Sequence, residues 1–203
     1  MKKVLCFFVV MCCYCIDNQA QNSLLKLNKS NYAQIITDGV LDENEWFDAK
    51  AITIEGLTET LVTVYLKYDT ENLYVAFKNL TNSENSNHNA EVLISSNLEA
   101  HNWGEQCYWF HSSYSNCSAV GQYYYWEDCS ALPMGWIANN FPFKEGNDNI
   151  EFRISFSKLG LNPSAGIQIK MAFKISNPLE QHGYWPEVAN IANPDTWGTI
   201  TFN

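Results

Sequence analysis

The chain has 203 residues, of which 46% are hydrophobic, 14% aromatic and only 17% charged. That is enough for one domain with a real apolar core, and it excludes global disorder. Twelve Lys and Arg stand against 22 Asp and Glu, a net charge of −10, which argues against a phosphate-backbone ligand and against electrostatic docking on an anionic membrane. A neutral ligand, a cation or a protein remains.

The first element is a targeting segment. Lys2 and Lys3 precede an apolar run over residues 4–16, and Asp17-Asn18-Gln19-Ala20 follows with a small final residue. This reads as a signal peptide over 1–20, cleaved after Ala20. The apolar run is too short for the about 20 residues that a bilayer crossing needs, so no membrane insertion is expected. Tyr14 is bulky where a lipoprotein signal wants a small residue before Cys15. Loss of Lys2, Lys3 and Asp17 takes the net charge from −10 to −11. The expected location is secreted, either extracellular or periplasmic. Residues 21–34 read as a lead-in, and 35–203 as one domain, since no linker, long charge run or repeat divides them.

Along the mature chain, only residues 42–50 look helical, with Asp42 as N-cap and Glu45 three residues later as a capping box. Residues 61–68 and 73–78 form a predicted hairpin around the turn Asp69-Thr70-Glu71-Asn72. Residues 79–89, rich in Asn, Ser and Thr, read as a loop, and strands are expected at 90–95 and 108–114. The clearest period of two comes late. Ile150, Phe152, Ile154 and Phe156 oppose Glu151, Arg153 and Ser155. Ile167, Ile169, Met171, Phe173 and Ile175 oppose Gln168, Lys170, Lys174 and Ser176. Residues 196–202 close the chain as a strand. Many short strands with almost no helix predict an all-β fold: an antiparallel β-sandwich of jelly-roll or immunoglobulin-like topology, with one short N-terminal helix.

Cleavage would remove four of the seven cysteines and leave Cys107, Cys117 and Cys129. Two of these could pair in an oxidising compartment. Cys117 and Cys129 bracket a short segment, and a clip there would contribute about 2–3 kcal/mol if unstrained. The three lack any CxxC spacing for zinc.

The aromatics are concentrated. Residues 103–143 hold 12 of the 29, including four of the seven Trp, and the densest run is Gln122-Tyr123-Tyr124-Tyr125-Trp126-Glu127-Asp128. A strand there turns Tyr124 and Trp126 to one face and Tyr123 and Tyr125 to the other. Rings with polar atoms need partners, so one face should meet solvent or ligand. Sugar rings stack their C–H patches on such faces, while Gln122, Asn139, Asn140, Glu127 or Asp128 could hold the hydroxyls. The alternative, rings that fill the core or cover a loop, stays open.

Loop-like carboxylates at Asp38, Asp42, Glu43, Glu127, Asp128 and Asp148 offer the hard oxygens that calcium prefers, without an EF-hand pattern. Catalysis finds little support. A glycosidase needs two carboxylates roughly 5–9.5 Å apart, which the acidic residues permit but do not specify. No G-x-S-x-G, HExxH or phosphate loop is present. His88, His101, His111 and His182 lack metal-ligand spacing, and His111 reads as a strand histidine with a structural partner.

Thr37-Asp38-Gly39-Val40-Leu41-Asp42-Glu43-Asn44-Glu45-Trp46 resembles the "DG-LDE--W" opening of the family 9-like carbohydrate-binding modules, of the DOMON-like superfamily. Tyr68-Asp69-Thr70-Glu71-Asn72-Leu73-Tyr74-Val75 resembles their "YD---LYV" hairpin. Residues 91–94 and Tyr108-Trp109-Phe110-His111 look like the central strands. Tyr184-Trp185-Pro186, Ala189-Asn190 and Pro194-Asp195-Thr196-Trp197-Gly198 look like the closing segment. The resemblance spans residues 36–203 in matching order. It implies a secreted, non-catalytic β-sandwich that clamps a sugar between aromatic rings, with structural calcium in some members. Haem, bound through Met and His in some DOMON relatives, would need Met134 or Met171 with His101, His111 or His182.

The resulting expectation is a carbohydrate-binding module that is not an enzyme, stacking a sugar ring or chain end on Trp103, Trp109, Tyr124, Trp126, Trp136 and Trp185. Trp46 and Trp197 are expected in the core, and Trp185, before Pro186, is expected to be exposed. Asp38, Asp42 and Asp128 are the calcium candidates, and Cys117 with Cys129 the disulfide. The competing expectation is a secreted sandwich with a protein partner, since exposed Tyr and Trp suit protein interfaces too.

Overall fold

Alternating apolar residues on many short strands can be satisfied only by burying one face of each sheet against another, and that is the arrangement found. The computed structural model describes residues 23–31, 35–55, 61–80, 89–104, 106–113, 117–121, 126–128, 135–139, 149–176 and 182–203. The signal segment, Tyr124 and Cys129 therefore lie outside the described residues.

The elements, in order, are β1 (Leu24–Leu27), α1 (Glu43–Trp46), β2 (Lys50–Ile54), β3 (Val62–Tyr68), β4 (Asn72–Lys78), β5 (Asn89–Ser95), β6 (Cys107–Ser112) and β7 (Cys117–Val120). There follow β8 (Trp126–Asp128), β9 (Trp136–Ala138), β10 (Ile150–Ser155), β11 (Gln168–Ser176), β12 (His182–Trp185), a 3-10 turn (Pro194–Thr196) and β13 (Gly198–Phe202). The larger sheet runs β1-β13-β11-β5-β6-β7-β8, and the smaller one β2-β3-β4-β10-β9. All pairings are antiparallel except β1 with β13. β12 and β13 share one edge of β11 end to end, pairing with residues 173–176 and 168–171 respectively. The fold is the expected β-sandwich.

The core lies between the sheets. Val64, Leu66, Val75, Phe77, Phe152 and Ile154 meet Val92, Ile94, Phe110, Met171, Phe173 and Ile200, all buried. Phe77 stacks edge-on against both Phe152 and Phe173, with centroids 6.0 and 6.1 Å apart. Met171 belongs to this core, whereas His111 faces the other side of the larger sheet, so these two do not face each other as haem ligands would.

The helix is shorter than expected. Asp42 does cap it, accepting from Asn44 N at 2.7 Å. Glu45 does not close a capping box; its Oε1 accepts from Ile36 N at 3.4 Å instead. Lys50 already belongs to β2. α1 and residues 35–41 cover the outer face of the smaller sheet, where Trp46 packs with Ile35, Tyr74 and Ala76. One carboxylate gathers this cover. Glu151 accepts from Asp38 N at 3.0 Å, Gly39 N at 2.7 Å and Trp46 Nε1 at 3.0 Å. Gly39 has φ 82°, a left-handed conformation that a Cβ would disfavour. Lys67, 1% exposed, donates to Asp48 Oδ1 and the Glu45 carbonyl, with its Nζ 5.9 Å from the Trp46 ring centroid.

Candidate functional site

The outer face of the larger sheet carries a row of polar side chains across five strands. By register Tyr184 lies opposite Lys174, Lys174 opposite Glu91, Glu91 opposite His111, and His111 opposite Ser118. The floor of the row is an ion pair. Lys174 Nζ donates to both oxygens of Glu91, at 2.8 and 3.1 Å, and both side chains are buried. His111 Nδ1 stands 3.9 Å from Glu91 Oε1 on the other side. Burial pushes the Glu91 carboxyl up, but His111 and Lys174 more than reverse this and hold it below the usual carboxylate range. Burial, with the charge of Glu91, raises the Tyr184 phenol above its ordinary value.

A parallel apolar row lies beside it: Ala172, Leu93, Trp109 and Val120, with Trp126 next in register. Trp109 is half-buried, and Lys174 Nζ stands 5.7 Å from its ring centroid. One end of this row is roofed by Trp197 and Trp103, whose rings meet edge-on at 6.4 Å, with Ala189 and Ile191. Asp195 pins the roof. It receives Lys170 Nζ at 3.0 Å and pairs with His101 Nδ1 at 2.7 Å, contacts that keep its carboxyl below its usual range. A phenol, an ammonium, a carboxylate and an imidazole in that order across four strands, with an indole beside the ammonium, can donate to and accept from hydroxyls while an apolar ring face lies on the Trp.

The structure sorts the aromatic candidates. Trp109 lies at the floor of this face, and Trp103 half-buried at its roof. Trp126 is adjacent by strand register alone; its side chain, like all of Tyr124, lies outside the described residues. Trp136 is a core residue instead. It is 2% exposed, tilts against Phe110 at 5.2 Å and donates Nε1 to Glu127 Oε1 at 3.0 Å. β9 pairs on β10 so that this ring turns inward, leaving no face for a ligand. Trp136→Ala is therefore expected to lower stability by about 3–5 kcal/mol, as a buried Trp truncation does, measured as a shift in urea midpoint at unchanged slope. Trp185 is half-buried rather than freely exposed, because it pairs opposite Phe173 and packs on that ring at 5.5 Å. Trp46 and Trp197 are core residues, at 6% and 1% exposure.

The calcium candidates do not converge. Asp38 Oδ1 accepts from Val40 N at 2.8 Å, and Asp42 Oδ1 is the helix cap. Both lie on the smaller sheet's side, whereas Asp128 belongs to β8 of the larger sheet, its side chain outside the described residues. Among the described residues no group of three or more His, Cys, Asp or Glu could hold a metal. Of the suggested hydroxyl ligands, Glu127 is taken by Trp136 and Lys158, and Asn139 Oδ1 accepts from Glu151 N. Cys107 is a buried free thiol, whereas Cys117 is not free.

Sequence reasoning missed Glu91, Lys174 and Tyr184 as site residues. A signal was present: Glu91 and Lys174 are charges inside apolar runs, Ala-Glu-Val-Leu-Ile and Met-Ala-Phe-Lys-Ile, where a buried charge without a partner would be prohibitive.

The fold so described is that of the family 9 carbohydrate-binding modules. One such module from Caldicellulosiruptor kristjanssonii, solved in complex with cellotriose, superposes with a TM-score of 0.62 at 16% identity, over 89% of this chain and 94% of that one. A second structure of such a module from this organism, in complex with glucose, gives 0.57 at 17% identity, over 88% and 95%. At that identity the likeness is one of fold. No family model matches the chain, and no curated protein matches its sequence.

Proposed function

We propose that the protein is a secreted, non-catalytic carbohydrate-binding module. The observation that carries this reading is the buried Glu91–Lys174 pair, with His111, Tyr184 and Trp109 around it, on the outer face of a sheet. Burying charge there is costly, and an ordinary sheet surface has no need of it. In this reading Lys174, His111 and Tyr184 meet the sugar hydroxyls, Glu91 orients them from below, and a sugar ring stacks on Trp109 and Trp126. The fold supports it too, since modules of this fold are solved with cellotriose and glucose. The acidic charge suits a neutral glycan better than a polyanion.

Secretion, through residues 1–20, brings with it a disulfide between Cys117 and Cys129. Cys107 is free and Cys117 is not, which leaves Cys129 as the partner the proposal gives Cys117.

The test is intrinsic Trp fluorescence during titration with a panel of soluble oligosaccharides, run with calcium and after chelation. A saturable shift with one sugar is expected, and Trp109→Ala should weaken that binding about ten-fold or more. A flat response from folded protein would sink the proposal. It would favour a protein partner, for which the 72% exposed Phe47, beside a groove with Leu41 and Ala49, is the observation in hand.

A further inference from the structure

The polar row does not stop at the edge of the sheet. Tyr184, its last member, also lines a groove of about 470 Å3 where β12 meets β2. Thr53 and Glu55 form one wall, and His182, Tyr184, Trp185 and Glu187 the other. The two walls come together because position 183 is Gly: a Cβ there would stand 2.7 Å from the Glu55 carbonyl oxygen and 3.0 Å from Ile175 Cγ1. The groove therefore continues the Glu91–Lys174 face around the sheet edge. Its lining repeats that face's chemistry, with two exposed carboxylates and an imidazole for hydroxyls and aromatic rings for a sugar's C–H face. From Glu91 on β5 to β12 is two strand spacings, roughly 10 Å, which is more than a single pyranose ring covers.

We infer that the groove between β2 and β12 is a second sugar subsite, and that the ligand is an oligosaccharide laid across the strands, with one unit on the Glu91–Lys174 face and a following unit in the groove. This rests on the carbohydrate-binding reading above. It adds that recognition depends on chain length, with Tyr184 shared by the two subsites and Glu55 and Glu187 acting only on the outer unit.

The experiment is calorimetric titration of the full chain with glucose, cellobiose and cellotriose. Wild-type protein should bind cellotriose about ten-fold or more tighter than glucose. In Glu55→Ala/Glu187→Ala the difference should shrink to within about three-fold while glucose affinity is unchanged. Thr53→Tyr, which fills the groove without touching the core, should do the same. Equal affinity of wild type for glucose and cellotriose would overturn the second subsite and leave the first. So would variants that weaken glucose and cellotriose equally. No binding of any of the three would overturn the second subsite, while the carbohydrate-binding reading itself falls only with a flat response across the whole oligosaccharide panel.

Discussion

Glu91→Gln is expected to destabilise the protein by about 3 kcal/mol, because it leaves a buried ammonium without its counter-charge. It should also weaken sugar binding at least ten-fold, or about 1.4 kcal/mol. The cost follows from geometry. Lys174 Nζ reaches both Glu91 oxygens, His111 stands on the far side, and Glu91 is 3% exposed, so water cannot replace the lost charge. Two further variants separate folding from binding. Lys174→Met alone strands the carboxylate and should cost a similar amount. The double variant Glu91→Leu/Lys174→Met removes both charges and should recover most of the stability, as replaced buried pairs commonly do, while sugar binding stays lost. Urea unfolding gives the first quantity and calorimetry the second. A double variant that binds sugar normally would remove the polar row from the proposed site. The pH dependence has a definite sign. The Glu91 carboxyl is held below its ordinary value in the fold. Its contribution to stability is therefore present above the ordinary carboxylate range and is lost as pH falls through the lowered folded value.

Glu151 should behave in the opposite sense. Burial pushes its carboxyl up to about 7 from 4.5, against the pull of Gly39 N, Asp38 N and Trp46 Nε1. A raised carboxyl favours the fold while protonated. Its contribution is complete below about pH 4.5 and lost as pH rises through 7, a change of about 3 kcal/mol. Glu151→Gln removes the titration. The stability difference between wild type and this variant should therefore shift by about 3 kcal/mol against wild type between pH 4.5 and pH 8. Urea midpoints of both proteins at the two pH values measure it, and parallel pH profiles would show that Glu151 does not titrate in this window. The carboxyl also explains why the N-terminal motif has its composition. Asp38, Gly39 and Trp46 are spaced so that two backbone N–H groups and one indole N–H meet a single acceptor on β10.

Much of the sandwich was legible because its strands are buried on one face. The apolar residues assigned to the inner faces of β10 and β11, from Ile150 to Phe156 and from Ile169 to Ile175, are core residues, whereas Ile167, assigned with them, precedes β11 and is exposed. The strands that escaped notice are short or sit at edges, where burial no longer imposes a period. β1 is four residues long and buries only Leu27 fully, and β12 has no buried residue, running from exposed His182 to half-buried Trp185. The helix was overread because Glu45 three residues after Asp42 fits a capping box, yet tertiary contact with Ile36 claims that side chain. The site was legible only in part. Aromatic density drew attention to residues 103–143, where Trp109 is indeed beside the polar row, but Trp136 in the same window turns inward because β9 pairs on β10. Glu91, Lys174 and Tyr184 lie far apart in sequence and become neighbours only through the order β12-β11-β5. No local pattern carries that order.

The parallel pair β1–β13 gives the molecule a mechanical character. Leu24 lies beside Thr199 and Leu27 beside Phe202, and the Asn203 N–H donates to the Leu27 carbonyl at 2.9 Å. The two strands run the same way, so tension applied at residue 23 and at residue 203 would draw them past each other lengthwise. All the cross-strand hydrogen bonds would then bear load together instead of opening one at a time. Because β13 is itself paired to β11, that load would pass directly into the larger sheet. Held between a surface and a cargo by these two points, the sandwich would behave as a shear clamp, its lifetime under force set by the unfolding rate rather than by equilibrium stability.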